Sequence, residues 1–156
     1  MKVLLITTPP NAVLGVLEML DNITLHVIDC SNKQDNILDR IFKVVKSISP
    51  DMIITYRCPY ILPKEIFLQP QFGSYNIHPS LLPKHSGLNP WKSIMSDADQ
   101  INGVTLHRIS QDIDQGEQIA QSSYSIVDMS YECARQMADD IAGIMISDFI
   151  KKFSHL

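Results

Sequence analysis

The sequence predicts an α/β fold with a wound, mainly parallel sheet flanked by helices. Short, nearly continuous apolar runs, such as residues 2–7 and 51–56, are typical of strands buried on both faces. Longer segments with apolar residues at helical spacing alternate with these runs, which is characteristic of strand–helix–strand units. With 156 residues the chain is long enough to bury a core. We therefore expect a single domain over residues 1–156.

In the first half of the chain, the patterns predict strands at residues 2–7, 23–28, 51–56 and 73–78. A helix over residues 12–20 follows the first strand, and a second helix ends at about residue 48. Asn32 and Asp35 are the candidate caps of the second helix, and a short helix begins near Pro63. The loop after the first strand has no G-x-G-x-x-G, so a dinucleotide cofactor is disfavoured.

In the second half, residues 90–96 resemble one or two helical turns, and strands are predicted at residues 102–109 and 118–127. A long final helix follows Ser130, whose hydroxyl is a candidate N-cap. The predicted buried face of this helix consists of apolar residues at helical spacing: Ala134, Met137, Ile141, Ile144, Met145, Phe149 and Phe153.

Composition and charge narrow the range of partners. The net charge is −4, the pI is about 5.6 and the basic residues are scattered, so free nucleic acid is an improbable partner. No apolar run approaches the roughly 20 residues of a membrane helix, and the amino terminus lacks a signal-peptide pattern. Cys30, Cys58 and Cys133 have no metal-like spacing and suit free thiols in a reducing compartment. We expect a cytoplasmic protein without a metal or a membrane partner; the sequence predicts no oligomeric state.

Candidate functional residues lie in residues 75–90, which read Y-N-I-H-P-S-L-L-P-K-H-S-G-L-N-P. Asn76 and His78 are two residues apart at a strand end, so their side chains share a face. In open α/β sheets ligands bind beyond the carboxyl ends of the strands. An amide that stabilises an oxyanion and an imidazole that moves a proton together suit acyl transfer. On spacing alone, a second interpretation stays open, in which both are turn residues with backbone partners.

The segment N-I-H-P-S-L-L-P-K-H-S-G-L-N-P, followed by G-V-T-L-H-R-I-S-Q-D-I-D-Q-G, resembles the formyltransferases that use 10-formyltetrahydrofolate. Both segments match the family in their order along the chain and in their spacing. Asp114 follows His78 by 36 positions (114 − 78 = 36). The resemblance is strongest over residues 51–116. It implies a compact Rossmann-like formyltransferase core and a catalytic trio of Asn76, His78 and Asp114. Without the motif, a solvated loop carboxylate is the better interpretation of Asp114.

The resemblance also implies a binding place for the folate donor. The loop that receives the pterin through backbone groups comprises Ser110, Gln111, Asp112 and Ile113. Four apolar residues are candidates for the walls of a slot for the ring, with a place in the core as the equal alternative: Leu81, Leu82, Ile61 and Leu62. His85 is expected at the pocket rim, His107 is interpreted as a packed or surface histidine, and Trp91 as a helix anchor.

The function implied by the resemblance is transfer of a formyl group from 10-formyltetrahydrofolate to a primary amine. The chain ends with one helix, without the carboxyl-terminal domain by which methionyl-tRNA formyltransferases take up tRNA. We therefore expect a small or carrier-bound acceptor, such as an amino sugar nucleotide or an aminoacyl group. Two alternatives remain: a hydrolase, in which water replaces the amine, and a non-catalytic folate-binding remnant.

Overall fold

The computed structural model describes residues 1–9, 11–32, 36–97 and 100–153. The described strands are β1 (Lys2–Thr7), β2 (Thr24–Asp29), β3 (Met52–Tyr56), β4 (Ser74–His78), β5 (Ile101–Arg108) and β6 (Gln118–Ser125). The described helices are α1 (Ala12–Glu18), α2 (Ile37–Ile48), α3 (Lys64–Phe67), α4 (Pro90–Ser96) and α5 (Tyr131–Lys151). All the strands join one sheet in the order β2-β1-β3-β4-β5-β6.

The first four strands run parallel, whereas β5 is antiparallel to β4 and β6 is antiparallel to β5. Strand β1 alternates between two apolar layers, with Val3 and Leu5 in one and Leu4 and Ile6 in the other. Helices α1 and α5 cover the first layer, and α2 and α3 cover the second. The predicted mainly parallel α/β fold is confirmed. Each predicted strand begins and ends within two residues of the observed strand.

The predicted cap of α2 needs a correction. Asn36 precedes the helix, whereas Asn32 lies too far from the first turn to cap it, and Asp35 falls outside the described residues. At the other end, Ser49 adopts a left-handed backbone conformation (φ 47°), and its N–H donates to the carbonyl of Val45, a common way to end a helix.

The predicted cap of α5 is confirmed, because the hydroxyl of Ser130 accepts from the backbone N–H of Cys133 at 3.2 Å. The predicted buried face is partly wrong, since Met137 and Ile144 are 39% and 64% exposed. The helix instead buries several small residues, among them Ala134, Ala138, Ala142 and Gly143.

The reason for this difference is the close approach of α5 to α1. A Cβ at Gly143 would lie 3.1 Å from Val16 Cγ2 and 3.2 Å from the carbonyl oxygen of Ala12. Such a contact is too tight for a larger side chain at position 143, so only a small residue fits where α5 meets α1. No helix in the described part of the chain is long and apolar enough to span a bilayer.

Candidate active site

The carboxyl end of β4 positions two of the predicted site residues. Asn76 and His78 alternate with Tyr75 and Ile77, which pack in the core on the opposite face of the sheet. Because β4 pairs with β3 on one side and β5 on the other, the backbone ladder fixes where both polar side chains point. His78 is only 4% exposed, so its ring lies within the protein and not in bulk solvent.

The amide of Asn76 is held by side chains on both neighbouring strands. The hydroxyl of Thr55 donates to Asn76 Oδ1 at 2.7 Å, and Asn76 Nδ2 lies 3.1 Å from His107 Nε2. His107 Nδ1 lies 3.0 Å from the carbonyl oxygen of Arg108, which only accepts. Nδ1 can only donate to that carbonyl, and this contact fixes the orientation of the His107 ring beside Asn76. The second N–H of the Asn76 amide is left for another acceptor.

Asp114 comes from the loop between β5 and β6 and completes the trio. Its Oδ2 lies 3.5 Å from His78 Nδ1 and accepts from the backbone N–H of Gly87 at 2.7 Å. Its Oδ1 lies 3.4 Å from His107 Nε2. The structure thus brings Asn76, His78 and Asp114 together, with His107 as a fourth member that contacts two of them.

The loop reaches this position through two backbone features. Strand β5 is antiparallel to β4, so it leads away from the carboxyl end of β4, and the chain has to return to it. Asp114 adopts a left-handed conformation (φ 55°). At Gly116, a Cβ would overlap the carbonyl oxygen of Arg108, so only glycine allows this approach. The N–H of Arg108 then donates to the carbonyl of Glu117 at 2.8 Å, which closes the loop.

The hydrogen bonds of His78 identify its basic atom. His78 Nε2 donates to the carbonyl oxygen of His85 at 2.8 Å, so in the neutral ring Nδ1 has the free lone pair. Burial lowers the pKa of His78 below its ordinary value, although the charge of Asp114 and the hydrogen bond to His85 oppose the shift. The ring is consequently neutral near neutral pH and able to accept a proton at Nδ1, beside a carboxylate.

Asp114 stays ionised despite its burial. Burial acts to raise the pKa of this carboxyl, but its contact with His107, the N–H of Gly87 and the charge of His78 outweigh that effect and hold the pKa below the usual value. An imidazolium formed on His78 would therefore meet a negative charge at 3.5 Å.

Two cavities meet at the trio and share a wall made by Cys58, Asn76, Leu88, Ile113 and Asp114. The narrower cavity has a volume of about 80 Å³ and is lined by both polar and apolar residues. Its other walls include Tyr60, Ile61, Leu62, Ile109, Ser110 and Asp112. The wider cavity, of about 280 Å³, also contacts His78, Trp91, Tyr131 and two arginines, Arg57 and Arg135.

Some of the predicted donor-binding residues line the narrower cavity, and others lie away from it. Ser110, Asp112 and Ile113 line the narrower cavity, as Ile61 and Leu62 do, whereas Gln111 is exposed on the same loop.

Leu81 and Leu82 lie elsewhere, because the turn after β4 folds back over β5 and β6. Leu82 is 4% exposed and its N–H donates to the hydroxyl of Thr105 on β5 at 3.1 Å. The side chain of Leu81 covers Gly103. Leu82 therefore takes the core position that was the alternative for it, whereas Leu81 is half-buried.

Sequence reasoning undervalued two ring side chains at the site, His107 and Trp91. His107 is packed, at 2% exposed, but it also contacts Asn76 and Asp114. Its position opposite Asn76 would have been evident from an antiparallel pairing of β4 and β5. Trp91 does more than anchor α4, since it lines the wider cavity and packs edge-to-face against Tyr131 with ring centroids 5.7 Å apart.

Comparison with known proteins places the chain among known enzymes. Residues 2–143 match the model of the formyl transferase family. The chain belongs to this family. It is 31% identical over 121 residues to the methionyl-tRNA formyltransferase of Caldicellulosiruptor saccharolyticus, a match that covers 78% of the chain and 37% of that enzyme. The chain therefore spans little more than a third of the length of this relative.

Solved structures of the same fold support the family assignment at the level of architecture. The phosphoribosylglycinamide formyltransferase of Anaplasma phagocytophilum superposes with a TM-score of 0.82 at 19% identity, covering 99% of this chain and 86% of that one. The formyltetrahydrofolate deformylase of Pseudomonas syringae pv. tomato superposes with a TM-score of 0.80 at 17% identity, covering 99% of this chain and 61% of that one. A transferase and a deformylase thus share this formyl transferase fold.

Proposed function

We propose that this formyl transferase domain transfers a formyl group from 10-formyltetrahydrofolate to a primary amine of a small or carrier-bound acceptor. An amino sugar nucleotide and an aminoacyl group are the acceptor types we have in mind. The observation that carries the proposal is the convergence of an oriented amide, a neutral imidazole and an ionised carboxylate where two cavities meet.

In this proposal the pterin ring of the donor binds in the narrower cavity. Its apolar walls, including Ile61 and Leu62, suit the faces of a flat heteroaromatic ring, and the loop at Ser110 and Asp112 supplies backbone donors and acceptors for the ring edge. The amine would then enter from the wider cavity. Asn76 and Asp114 line both cavities, so the formyl carbon and the amine would meet beside them.

In this mechanism, each member of the trio has one task. As the amine nitrogen bonds to the formyl carbon, the second N–H of Asn76 donates to the oxygen that becomes negative, an interaction worth about 2.7–4 kcal/mol in comparable sites. His78 Nδ1 accepts a proton from the amine and returns it to the departing folate nitrogen as that carbon–nitrogen bond breaks. Asp114 stabilises the transient imidazolium through Oδ2.

The wider cavity favours an amine over water as the acceptor. A hydrolase needs space for one water molecule, whereas this cavity has about 280 Å³ and two guanidinium groups in its wall. A non-catalytic remnant is disfavoured because each of the three side chains has its partners in place: Thr55 for Asn76, the carbonyl of His85 for His78 and the N–H of Gly87 for Asp114.

An assay of donor consumption separates these functions. The protein is supplied with 10-formyltetrahydrofolate and a panel of amines that includes amino sugar nucleotides and aminoacyl carriers, and the appearance of free tetrahydrofolate is followed. We expect release only when an accepted amine is present. Release without any amine would indicate hydrolysis, and binding of the donor without release would indicate the remnant.

A further inference from the structure

Two cysteines lie at the same end of the sheet as the trio, and the proposed formyl transfer uses neither of them. Cys30 directly follows β2, and Cys58 comes two residues after β3. Strand β1 lies between β2 and β3, and its last residue, Thr7, pairs with Asp29 on one side and with Tyr56 on the other. Both cysteines therefore leave the sheet at the same level, on either side of β1.

The side chains of these cysteines meet in the second apolar layer, which α2 and α3 cover. Cys30 is 3% exposed within that layer, and Cys58 packs against it. The backbone N–H of Cys30 donates to the carbonyl of Thr7 at 2.8 Å, which fixes its position. On the other side, Arg57 has a left-handed backbone (φ 52°) that turns the chain between β3 and Cys58. The two thiols share a hydrogen bond and are thus in direct contact.

The two thiols differ in their access to the cavities. Cys58 is half-buried and belongs to the wall that the narrower and the wider cavity share. Cys30 lies behind it in the core and lines neither cavity. A small molecule that enters the wider cavity, of about 280 Å³, therefore reaches the sulfur of Cys58 first. We propose that Cys58 and Cys30 form a site of reversible oxidation, at which a small organic disulfide converts the two thiols into an intramolecular disulfide.

The contact between the thiols gives them different roles. The hydrogen bond with Cys30 is the largest cause that lowers the pKa of Cys58, and a backbone hydrogen bond at Tyr60 adds to it against the effect of burial. The same hydrogen bond, burial and the charge of Cys58 raise the pKa of Cys30. Because the thiolate is the nucleophile in disulfide exchange, Cys58 is the attacking group and Cys30 the resolving one.

The oxidation consists of two exchange steps. In the first, Cys58 Sγ bonds to one sulfur of the small disulfide, whose S–S bond breaks, and the other half leaves with the proton that Cys58 released. In the second, Cys30 Sγ bonds to Cys58 Sγ, the mixed disulfide breaks, and the second half leaves with the proton of Cys30. The protein loses two hydrogen atoms with two electrons, and the small disulfide is reduced to two thiols.

The first step prepares the second. In the mixed disulfide Cys58 no longer carries a charge and no longer hydrogen-bonds as a thiolate, so two of the causes that raise the pKa of Cys30 are removed. Cys30 then loses its proton more readily and attacks the neighbouring sulfur.

Oxidation changes the wall of the narrower cavity. A covalent bond holds two sulfur atoms much closer together than a hydrogen bond does, so Cys58 moves towards the core. Tyr60, Ile61 and Leu62 come shortly after Cys58 in the chain and line the narrower cavity. The disulfide therefore displaces the wall against which the pterin ring binds in the proposed function, and reduction restores it. This consequence rests on the proposed function, whereas the thiol exchange does not.

Peptide mapping tests the disulfide without any measurement of activity. The whole protein is incubated with hydroxyethyl disulfide, free thiols are blocked with an alkylating reagent, and the protein is digested with trypsin without reduction. Cleavage after lysine and arginine places Cys30 in the peptide 3–33 and Cys58 in the peptide 58–64. We expect mass spectrometry to find these two peptides joined by a disulfide, and separate after reduction.

Cys30→Ala is the variant that tests the resolving step, and Cys133→Ser is its matched control. Without Cys30, the mixed disulfide with the hydroxyethyl group should remain on Cys58. Cys133 is exposed in the first turn of α5, so Cys133→Ser should yield the joined peptides as the unsubstituted protein does. Circular dichroism checks the fold of both variants.

Two results would overturn the proposal. One is a mixed disulfide that persists on Cys58 although Cys30 is present, and the other is two cysteines that both remain unmodified. The unsubstituted protein alone distinguishes these results from the joined peptides, so the proposal stays testable if Cys30→Ala does not fold.

Titration with the donor then tests the consequence of oxidation, after the small disulfide has been removed. We expect the oxidised protein to bind 10-formyltetrahydrofolate about tenfold more weakly or worse, with full recovery after reduction. Equal affinities of the two forms would overturn the effect on the narrower cavity. When the peptides are joined but neither form binds the donor, the proposed function fails and the thiol site stands. When the donor is bound and consumed but the peptides are never joined, the thiol site fails and formyl transfer stands.

Discussion

The end of β4 and the loop between β5 and β6 contribute to the same trio by different physical means. Asn76 and His78 belong to a regular strand, held by backbone ladders on both sides. Asp114 belongs to a loop that reaches the site through its own left-handed backbone and through the close approach at Gly116. We therefore expect strand substitutions to remove chemistry and leave the geometry intact, whereas loop substitutions should displace a group that remains chemically competent.

The largest expected effect comes from the strand. In the proposed mechanism His78 Nδ1 accepts and returns the proton, so His78→Asn should lower kcat by about 10²–10⁴-fold. Affinity for the donor should stay nearly constant, since binding depends on the narrower cavity. Steady-state kinetics and donor titration measure the two effects separately. A variant with near-normal kcat would show that His78 is not the base.

Asn76→Ala is the second strand substitution. In the proposed mechanism it removes the donor to the developing oxyanion, which acts chiefly in the transition state, so kcat should fall by about 10² or more while KM changes little. The substitution also leaves His107 Nε2 without its amide partner, and the fold should be checked by thermal unfolding. An effect confined to KM would instead make Asn76 a substrate-binding residue.

The same division between strand and loop explains how far the sequence could predict the molecule. Apolar runs and alternation were enough for the strands and for the shared face of Asn76 and His78, because backbone pairing follows directly from that pattern. Asp114 depended on the family resemblance, since a loop carboxylate has no periodic signal. The role of His107 depended on β5 running antiparallel to β4, which residue patterns do not encode.

Helix α5 shows a second limit of prediction from the sequence, namely which face of a helix is buried. A search for a stripe of large apolar residues favoured Met137 and Ile144, but tight packing against α1 selected small residues such as Ala142 and Gly143. The arginines of the wider cavity come from distant parts of the chain, Arg57 beyond β3 and Arg135 on α5. Only the tertiary structure brings them together.

Gly116→Ala tests the loop side of the comparison. Its Cβ would overlap the carbonyl oxygen of Arg108, so the loop has to shift and carry Asp114 away from His78. A displacement of about 1 Å can cost up to about 10²-fold in rate, and we expect a loss of kcat of about tenfold to a hundredfold. The matched control is Gly15→Ala on α1, where a Cβ meets nothing within 4 Å.

The control should keep its activity and gain about 0.5–1 kcal/mol in the free energy of unfolding, since alanine is the better helix residue. Kinetics and chemical denaturation of both variants provide the comparison. Equal activities in Gly116→Ala and Gly15→Ala would show that the loop reaches the site without the close approach at Gly116.

The smallest expected effect is a shift in the titration of His78 when the carboxylate is neutralised. Burial lowers the pKa of His78, and the charge of Asp114 opposes that shift. Asp114→Asn removes the opposition, so the pKa should fall further. In the proposed mechanism the neutral ring is the base, so activity should be lost as the pH falls through this pKa, and the acid limb of the kcat profile should move to lower pH.

Above that limb, kcat should also fall in Asp114→Asn, because the imidazolium formed during transfer loses its partner at 3.5 Å. NMR titration of the His78 ring protons measures the pKa directly. Asp112→Asn is the matched control, since it removes the same charge from an exposed position of the same loop and should leave the titration of His78 in place. An unchanged pKa in Asp114→Asn, or an equal shift in both variants, would show that Asp114 is not the partner of His78 and would leave the pair on β4 to act without the loop.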